Sequence, residues 1–351
     1  MKHITLEANI PSLTGLRAVA AMSVVFYHFT MRFETIGPFP NIFRNGWLGV
    51  DLFFVLSGFV IHHVYQATFE RKIDRTNFAR FLWLRLARIY PVHIVTLFIA
   101  LALSLTLTAL GFQSSREYDY FTGTLAAMLL MHGWLGIVGP NYVSWSVSAE
   151  WFAYLCYPAL CWVSSRMNAR HTAAAAIAII GVMHLNGEQN VLIRVLTEFA
   201  AGMITYKITA RLRSFDRQTR WIGLTAVLAG LLWGLLRDHA SVVIHVLIFC
   251  TIILGITQPG DILGRVLSTR PFEYLGEISY SLYLIHSLVA SGFRLIVIML
   301  PFQLSDSTGF MIQVGLSLAA AAILFHLIEL PARALLRQYA PSPRTQGMSS
   351  I

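Results

Sequence analysis

Residues 46–65 read GWLGVDLFFVLSGFVIHHVY, and residues 71–88 read RKIDRTNFARFLWLRLAR. The first stretch is twenty residues with a single acid, Asp51. At about 1.5 Å per residue that is enough helix to cross a hydrocarbon layer about 30 Å thick. The second stretch carries Arg71, Lys72, Arg75, Arg80, Arg85 and Arg88 against one acid, Asp74. Lys and Arg beside a span are retained in the cytoplasm. The two stretches together predict a membrane helix that runs inward into a basic cytoplasmic loop, with the N-terminus also inside.

The whole chain agrees with this start. Of its 351 residues, 56% are hydrophobic and 12% are charged, and the mean hydropathy is +0.63. Soluble domains carry roughly 25% charged residues. Seventeen acids and 26 bases cannot clothe a soluble surface of this size, which excludes a soluble enzyme, a disordered chain and a nucleic-acid reader. The net charge of +9 resides in short loops between apolar runs, so it reads as a topology signal. Cys156, Cys161 and Cys250 sit in apolar stretches without a C-x-x-C pair, so packing is their expected role. Ala18-Val19-Ala20 imitates a secretory cleavage site but precedes the apolar core, so the segment is expected to remain as the first span.

Eleven segments approach membrane length: 12–32, 46–65, 86–110, 121–138, 144–164, 172–186, 190–208, 220–236, 240–257, 276–299 and 310–333. Eleven crossings would put some basic loops outside. Ten place every basic loop in the cytoplasm and leave Glu117, Asp119, Glu188 and Asp306 on the outer side. The segment that does not cross is assigned to 121–138, because His132, Gly133, Gly136 and Gly139 suit irregular backbone surrounded by protein. The expected fold is all-α: a polytopic helical bundle of about ten transmembrane helices with one re-entrant segment and both termini cytoplasmic. Residues 1–11 form a cytoplasmic segment, 12–335 the membrane domain and 336–351 a disordered cytoplasmic tail. No soluble catalytic domain is expected at either end.

Ionisable side chains at membrane depth cost about 2.5–3.5 kcal/mol each on insertion scales, so each calls for a partner or a task. In the first span Arg17 and His28 are eleven residues apart, about 16 Å and three turns, so they share one face at two depths. Asp51 enters the membrane at the level of His28. A carboxylate there can fix the tautomer of an imidazole that acts as a base; alternatively Asp51 pairs with an arginine and locks helices. Ser144-Trp-Ser146-Val-Ser148-Ala-Glu150 begins another segment, with Ser146 and Glu150 on one face. Glu150 is read as binding an acceptor hydroxyl or supporting the histidine, against a bland role in capping. Arg85 and Arg88, at i, i+3, are forks suited to phosphate, or plain cytoplasmic anchors. With Arg17 on a neighbouring span, the three suggest a cytoplasm-facing phosphate site. Ser279, Tyr283 and His286 form a polar stripe at i, i+4 and i+7, functional or interhelical glue. Pro331 is expected to break the last span, with Glu329 pairing an arginine. The remaining histidines lack metal-ligand spacing, and no metal site is assigned.

At these residues the chain resembles the membrane acyltransferase-3 family. The resemblance rests on SLTGLR at 12–17 with ten residues between Arg17 and His28, GVDLFFVLSGF at 49–59, RLARIYP at 85–91, SWSVSAE at 144–150 and SYSLYLIH at 279–286. These blocks occur in family order and extend from residue 11 to about 335. The resemblance implies transfer of an acyl group, usually acetyl, from a cytoplasmic coenzyme A thioester to a hydroxyl of an envelope glycan or lipid-linked sugar, in the cell (inner) membrane. It implies acyl-coenzyme A on Arg17, Arg85 and Arg88, with the pantetheine arm reaching inward to His28. His28, Asp51 and Glu150 are the expected catalytic group, and Ser146, Ser148, Tyr283 and His286 support the substrate. His28 as general base and His28 as acyl-bearing nucleophile both stay open. No tightly bound cofactor is implied; acyl-coenzyme A is a co-substrate, and membrane lipid and a hydroxyl acceptor are the other partners. The competing class is a proton-coupled transporter of a small anion, since buried His, Asp, Glu and Arg also make proton relays.

Overall fold

The computed structural model describes residues 10–30, 43–112, 119–186, 189–212, 221–236, 241–298 and 305–342. Most of the expected segments 1–11 and 336–351 lies outside them, as do the loop residues Glu117, Glu188, Arg213, Arg217 and Arg220. Among the described residues the chain is helical, with no strand. The helices are α1 (Pro11–Thr30), α2 (Gly49–Phe69), α3 (Arg75–Ala109), α4 (Tyr120–Met128), α5 (His132–Leu135), α6 (Trp145–Ser165), α7 (Ala169–Asn186), α8 (Val191–Leu212), α9 (Ile222–Leu236), α10 (Val242–Ile256), α11 (Ile262–Leu267), α12 (Arg270–Glu277), α13 (Ser279–Ile298), α14 (Asp306–Leu324) and α15 (Leu330–Gln338).

Among the described residues four helices are long and apolar enough to cross a membrane: Asn45–Phe69, Arg75–Ala109, Ser279–Val297 and Asp306–Gln338. The second of these, α3, is 35 residues, longer than the expected span 86–110. It starts early because Asp74 caps it, its carboxylate accepting from the backbone of Thr76 at 3.1 Å and Asn77 at 3.3 Å. Arg75, Arg80, Arg85 and Arg88 therefore stand on a helix rather than in a loop. The expected span 276–299 is likewise broken at Ile278, and only α13 is continuous.

Segment 121–138 is not one helix. Its nine-residue α4 is about 14 Å long, less than half of a hydrocarbon layer. The chain then turns through Leu130, a non-glycine residue at φ 56° that is 1% exposed. Such backbone costs about 1–2 kcal/mol in an L-residue and needs outside support. Ser148 supplies it, donating from Oγ to the Leu130 carbonyl at 2.6 Å and accepting from Gly133 N at 3.1 Å. His93 binds the Ala127 carbonyl at 2.9 Å, and His132 donates to Ser144 Oγ at 3.0 Å. The irregular segment thus has its polar backbone satisfied by protein.

Pro331 does not end the last helix. Residues Phe325–Glu329 widen into a π-turn, and Pro331 falls in the first turn of α15, where a missing N–H leaves nothing unpaired. The chain then continues as helix to Gln338, held by Trp83 Nε1 on the Leu336 carbonyl at 2.7 Å.

The most extensive helix pairing is α2 with α8. Two glycines permit it: a β-carbon on Gly58 would lie 1.9 Å from the Phe199 carbonyl oxygen, and one on Gly202 would lie 2.0 Å from that of Val55. Small residues that let backbones touch are the usual device where water supplies no drive for association. Gly202→Ala should lower stability by about 1–3 kcal/mol or more through overpacking. Gly181→Ala, at a helical glycine with nothing within 4 Å, should be neutral or stabilising by up to about 1 kcal/mol. Unfolding of the two variants in detergent measures the contrast, and similar losses would contradict a close backbone contact.

Candidate active site

Two cavities lie along α2. The larger, about 550 Å³, is lined by Arg17, Arg85, Arg88, Arg333 and Arg337. Helical spacing puts Arg85 and Arg88 on one face of α3, and the π-turn and α15 bring Arg333 and Arg337 to the same space. Arg85 donates from Nη2 to the Tyr65 hydroxyl at 3.0 Å, with its guanidinium 5.2 Å from that ring. Arg17 donates from Nε to Ser279 Oγ at 3.4 Å and stands 5.9 Å from the Phe53 ring. Three carboxyl side chains, Glu150, Glu277 and Glu329, line the same cavity. Glu150 Oε1 accepts from Ser57 and from Tyr154, both at 2.6 Å. Glu329 Oε2 accepts from Ser281 at 2.7 Å. With Glu150 and Glu329 held by hydroxyls, the arginine forks are placed to bind phosphate oxygens.

The smaller cavity, about 190 Å³, is lined by His28 and by the rings of Tyr27, Trp47, Tyr142, Trp145 and Tyr283. His28 has a definite tautomer. Its Nδ1 lies 2.9 Å from the Val24 carbonyl, which only accepts, so Nδ1 carries the proton. The same Nδ1 lies 3.2 Å from His286 Nε2. His286 Nδ1 in turn faces the carbonyls of Tyr283 at 2.7 Å and Leu282 at 3.3 Å, so it donates there and Nε2 accepts from His28. The neutral ring of His28 then has its lone pair on Nε2, the state required of a base or nucleophile.

The two cavities share Val50 and Tyr283 as lining residues. Tyr283 is fixed by a hydroxyl chain: Ser146 Oγ donates to its oxygen at 2.7 Å, and it donates to the Val143 carbonyl at 2.8 Å. Ser146 and Tyr283 from the expected set thus meet at this wall. Glu150 lines the arginine cavity and His28 the aromatic one, so these two candidates are separated rather than adjacent.

Two expectations are corrected by the geometry. Asp51 does not orient His28: its Oδ1 takes Arg194 Nε at 2.8 Å and is also bound by Nη2 of the same arginine. The backbone of α1 and His286 orient His28 instead. Ser148 faces the 130–133 turn and lines neither cavity, because its hydroxyl is committed to Leu130 and Gly133. The residues missed by the sequence reading are Arg194, Glu198, Arg333, Arg337 and the rings of Tyr27, Trp47, Tyr142 and Trp145. Arg194 and Glu198 were visible in principle, since they are two charges four apart inside the apolar segment 190–208. The rings carried no signal, because aromatic residues are common at membrane interfaces.

Asp51 and Glu198 are 0% exposed and Arg194 is 9% exposed, and Glu198 Oε1 lies 3.4 Å from Arg194 Nε. Two carboxyl groups therefore share one guanidinium out of water. Arg194→Gln leaves both without a counter-charge and should cost about 3–5 kcal/mol. Glu198→Gln keeps the Asp51 pair and should cost less than about 1.5 kcal/mol. Detergent-solubilised unfolding ranks the two, and equal losses would contradict the shared guanidinium.

Comparison with known proteins gives this geometry its setting. The acyltransferase-3 family model, described as an acyltransferase domain, matches residues 10–327. The chain is 21% identical to the peptidoglycan O-acetyltransferase OatA of Listeria monocytogenes, covering 92% of this chain and 56% of that protein. It is 24% identical to the O-acetyltransferase OatA of Staphylococcus aureus, covering 96% and 60%. Over 43% of its length it is 33% identical to the acyltransferase MdmB of Streptomyces mycarofaciens, covering 38% of that protein. The chain thus spans little more than half the length of the two OatA proteins. No solved structure matches it. A match across nearly the whole chain, on a helical bundle with membrane-length helices, makes this protein a member of the acyltransferase-3 family.

Proposed function

We propose that the protein is a multi-pass O-acyltransferase of the cell (inner) membrane that moves an acetyl group from cytoplasmic acetyl-coenzyme A to a hydroxyl of a carbohydrate or lipid-linked glycan. The observation that carries this reading is the division of labour between the two cavities. Five arginines converge on one space, and an imidazole with its lone pair on Nε2 borders the next. A phosphate-rich donor fits the first. The second, ringed by Tyr27, Trp47, Tyr142, Trp145 and Tyr283, suits the face of a sugar ring, which packs on aromatic surfaces while its hydroxyls reach polar groups. The relatives named O-acetyltransferases point the same way. With the arginine cavity at the cytoplasmic face, the ten-crossing arrangement sets His28 towards the outer leaflet.

In the transfer, His28 Nε2 accepts the proton of the acceptor hydroxyl as the oxygen attacks the thioester carbonyl carbon. The carbon–oxygen bond forms, the carbon–sulfur bond breaks, and the sulfur leaves as a thiolate that takes up a proton to give coenzyme A. Arg17, Arg85 and Arg88, joined by Arg333 and Arg337, hold the donor through its phosphates. Binding energy from this remote part of the donor positions the thioester without touching the reacting atoms.

The test is incubation of purified wild type with labelled acetyl-coenzyme A and an envelope-glycan extract, with label in glycan and free coenzyme A both measured. His28→Ala should lower kcat by about 10²–10⁴-fold, the usual contribution of a positioned base, while donor binding persists. Arg85→Gln with Arg88→Gln should instead raise KM for the donor, each lost charge-assisted contact costing about 1.5–3 kcal/mol. Folded wild type that neither binds acetyl-coenzyme A nor releases coenzyme A would sink the reading.

A further inference from the structure

The wall between the cavities does more than separate them. The donor cavity holds the arginine forks and not His28; the aromatic cavity holds His28. Among the described residues only Val50 and Tyr283 line both. Both are nearly buried, at 7% and 6% exposure. Tyr283 cannot swing without breaking its hydroxyl chain to Ser146 and Val143, at 2.7 and 2.8 Å. Its ring is also backed by Phe53 at a centroid distance of 6.2 Å. A group passing from the arginine cavity to His28 through these two spaces meets one aromatic ring and one isopropyl group.

We infer that Val50 and Tyr283 form a septum that selects the acyl group by length, admitting acetyl and refusing longer chains. The inference rests on the acyl-transfer reading above and adds to it a specificity-determining pair. A two-carbon group needs only a small displacement of the wall. Each further methylene has to be accommodated between the ring and Val50 or in the small aromatic cavity, which the acceptor sugar also occupies. Closely packed side chains are not continuously deformable, so extra length is refused rather than absorbed. Tyr283 and Val50 act through shape here: they position and exclude, and the proton transfer stays with His28.

The experiment compares kcat/KM for coenzyme A release from acetyl-, butyryl- and hexanoyl-coenzyme A, using the full chain in detergent with an envelope-glycan extract as acceptor. A refused methylene is worth about 10–200-fold in discrimination. Wild type should favour acetyl over butyryl on that scale. Val50→Ala removes wall without touching the hydroxyl chain, and Tyr283→Phe keeps the ring but frees it from Ser146 and Val143. Each should raise the butyryl-to-acetyl ratio by about tenfold or more. Folded variants that turn over with the wild-type ratio would overturn the septum and leave acyl transfer standing. Folded variants inactive with all three donors would also overturn it, because the pair would then belong to the chemistry and not to selection. Wild type that releases nothing from any donor would overturn the acyl-transfer reading, and the septum with it.

Discussion

A buried guanidinium shared by two carboxyl groups, Arg194 between Asp51 and Glu198, fixes how α2 lies against α8. In a medium without water each of these groups needs a partner, so the crossing has one register in which they meet. The glycine contacts at Gly58 and Gly202 bring the backbones close enough for it. The rest of the site hangs on that placement, because α2 contributes Val50, Phe53 and Ser57 to the cavity walls. A shift of α2 by one residue would rotate all three away. Arg194 also lines the aromatic cavity, with its guanidinium 5.1 Å from the Trp47 ring, so the ionic lock and that cavity share a side chain.

The histidine that the sequence marks as a base is oriented without a carboxylate. Backbone carbonyls of α1 and α13 set the protons of His28 and His286 in turn, so each tautomer follows from helix geometry. Carbonyls cannot change protonation state, which makes this a sturdier guide than an acid at membrane depth. Glu150 stands on the other side of the wall, held by Ser57 and Tyr154. It shares its cavity with the five arginines, and its place suits the balance of charge there.

The irregular pieces of the chain are where the helices are tailored to the site. The π-turn at Phe325–Glu329 carries Glu329 into the arginine cavity and lets α15 resume with Pro331 at its start, so that Arg333 and Arg337 reach the same space. The broken segment around Leu130 packs against the start of α6, where Ser148 holds the turn and Ser146 holds Tyr283. Two serines two residues apart on one helix thus serve two different structures, because helical geometry points them in different directions.

The solvent, the helical class and many of the polar residues that stand inside apolar runs can be read from the amino-acid sequence alone. Hydropathy and loop charge do not depend on packing, and an arginine or histidine inside an apolar run is conspicuous whatever surrounds it. Arg17, His28, Arg85, Arg88, Glu150, Ser146, Tyr283 and His286 were all legible in that way, and the structure gathers them around two neighbouring spaces. Only the tertiary structure decided who partners whom. Asp51 at the depth of His28 fits an imidazole or an arginine equally well on paper; which one it meets depends on the rotation of α2 against α8, and that is set by glycines far along both helices. The wall at Val50 and Tyr283 is likewise invisible in one dimension, since its two residues are more than two hundred positions apart and neither is charged. Periodicity gives a side chain's face on its own helix, whereas a cavity is made by the faces of several, and their mutual rotation is a property of packing alone.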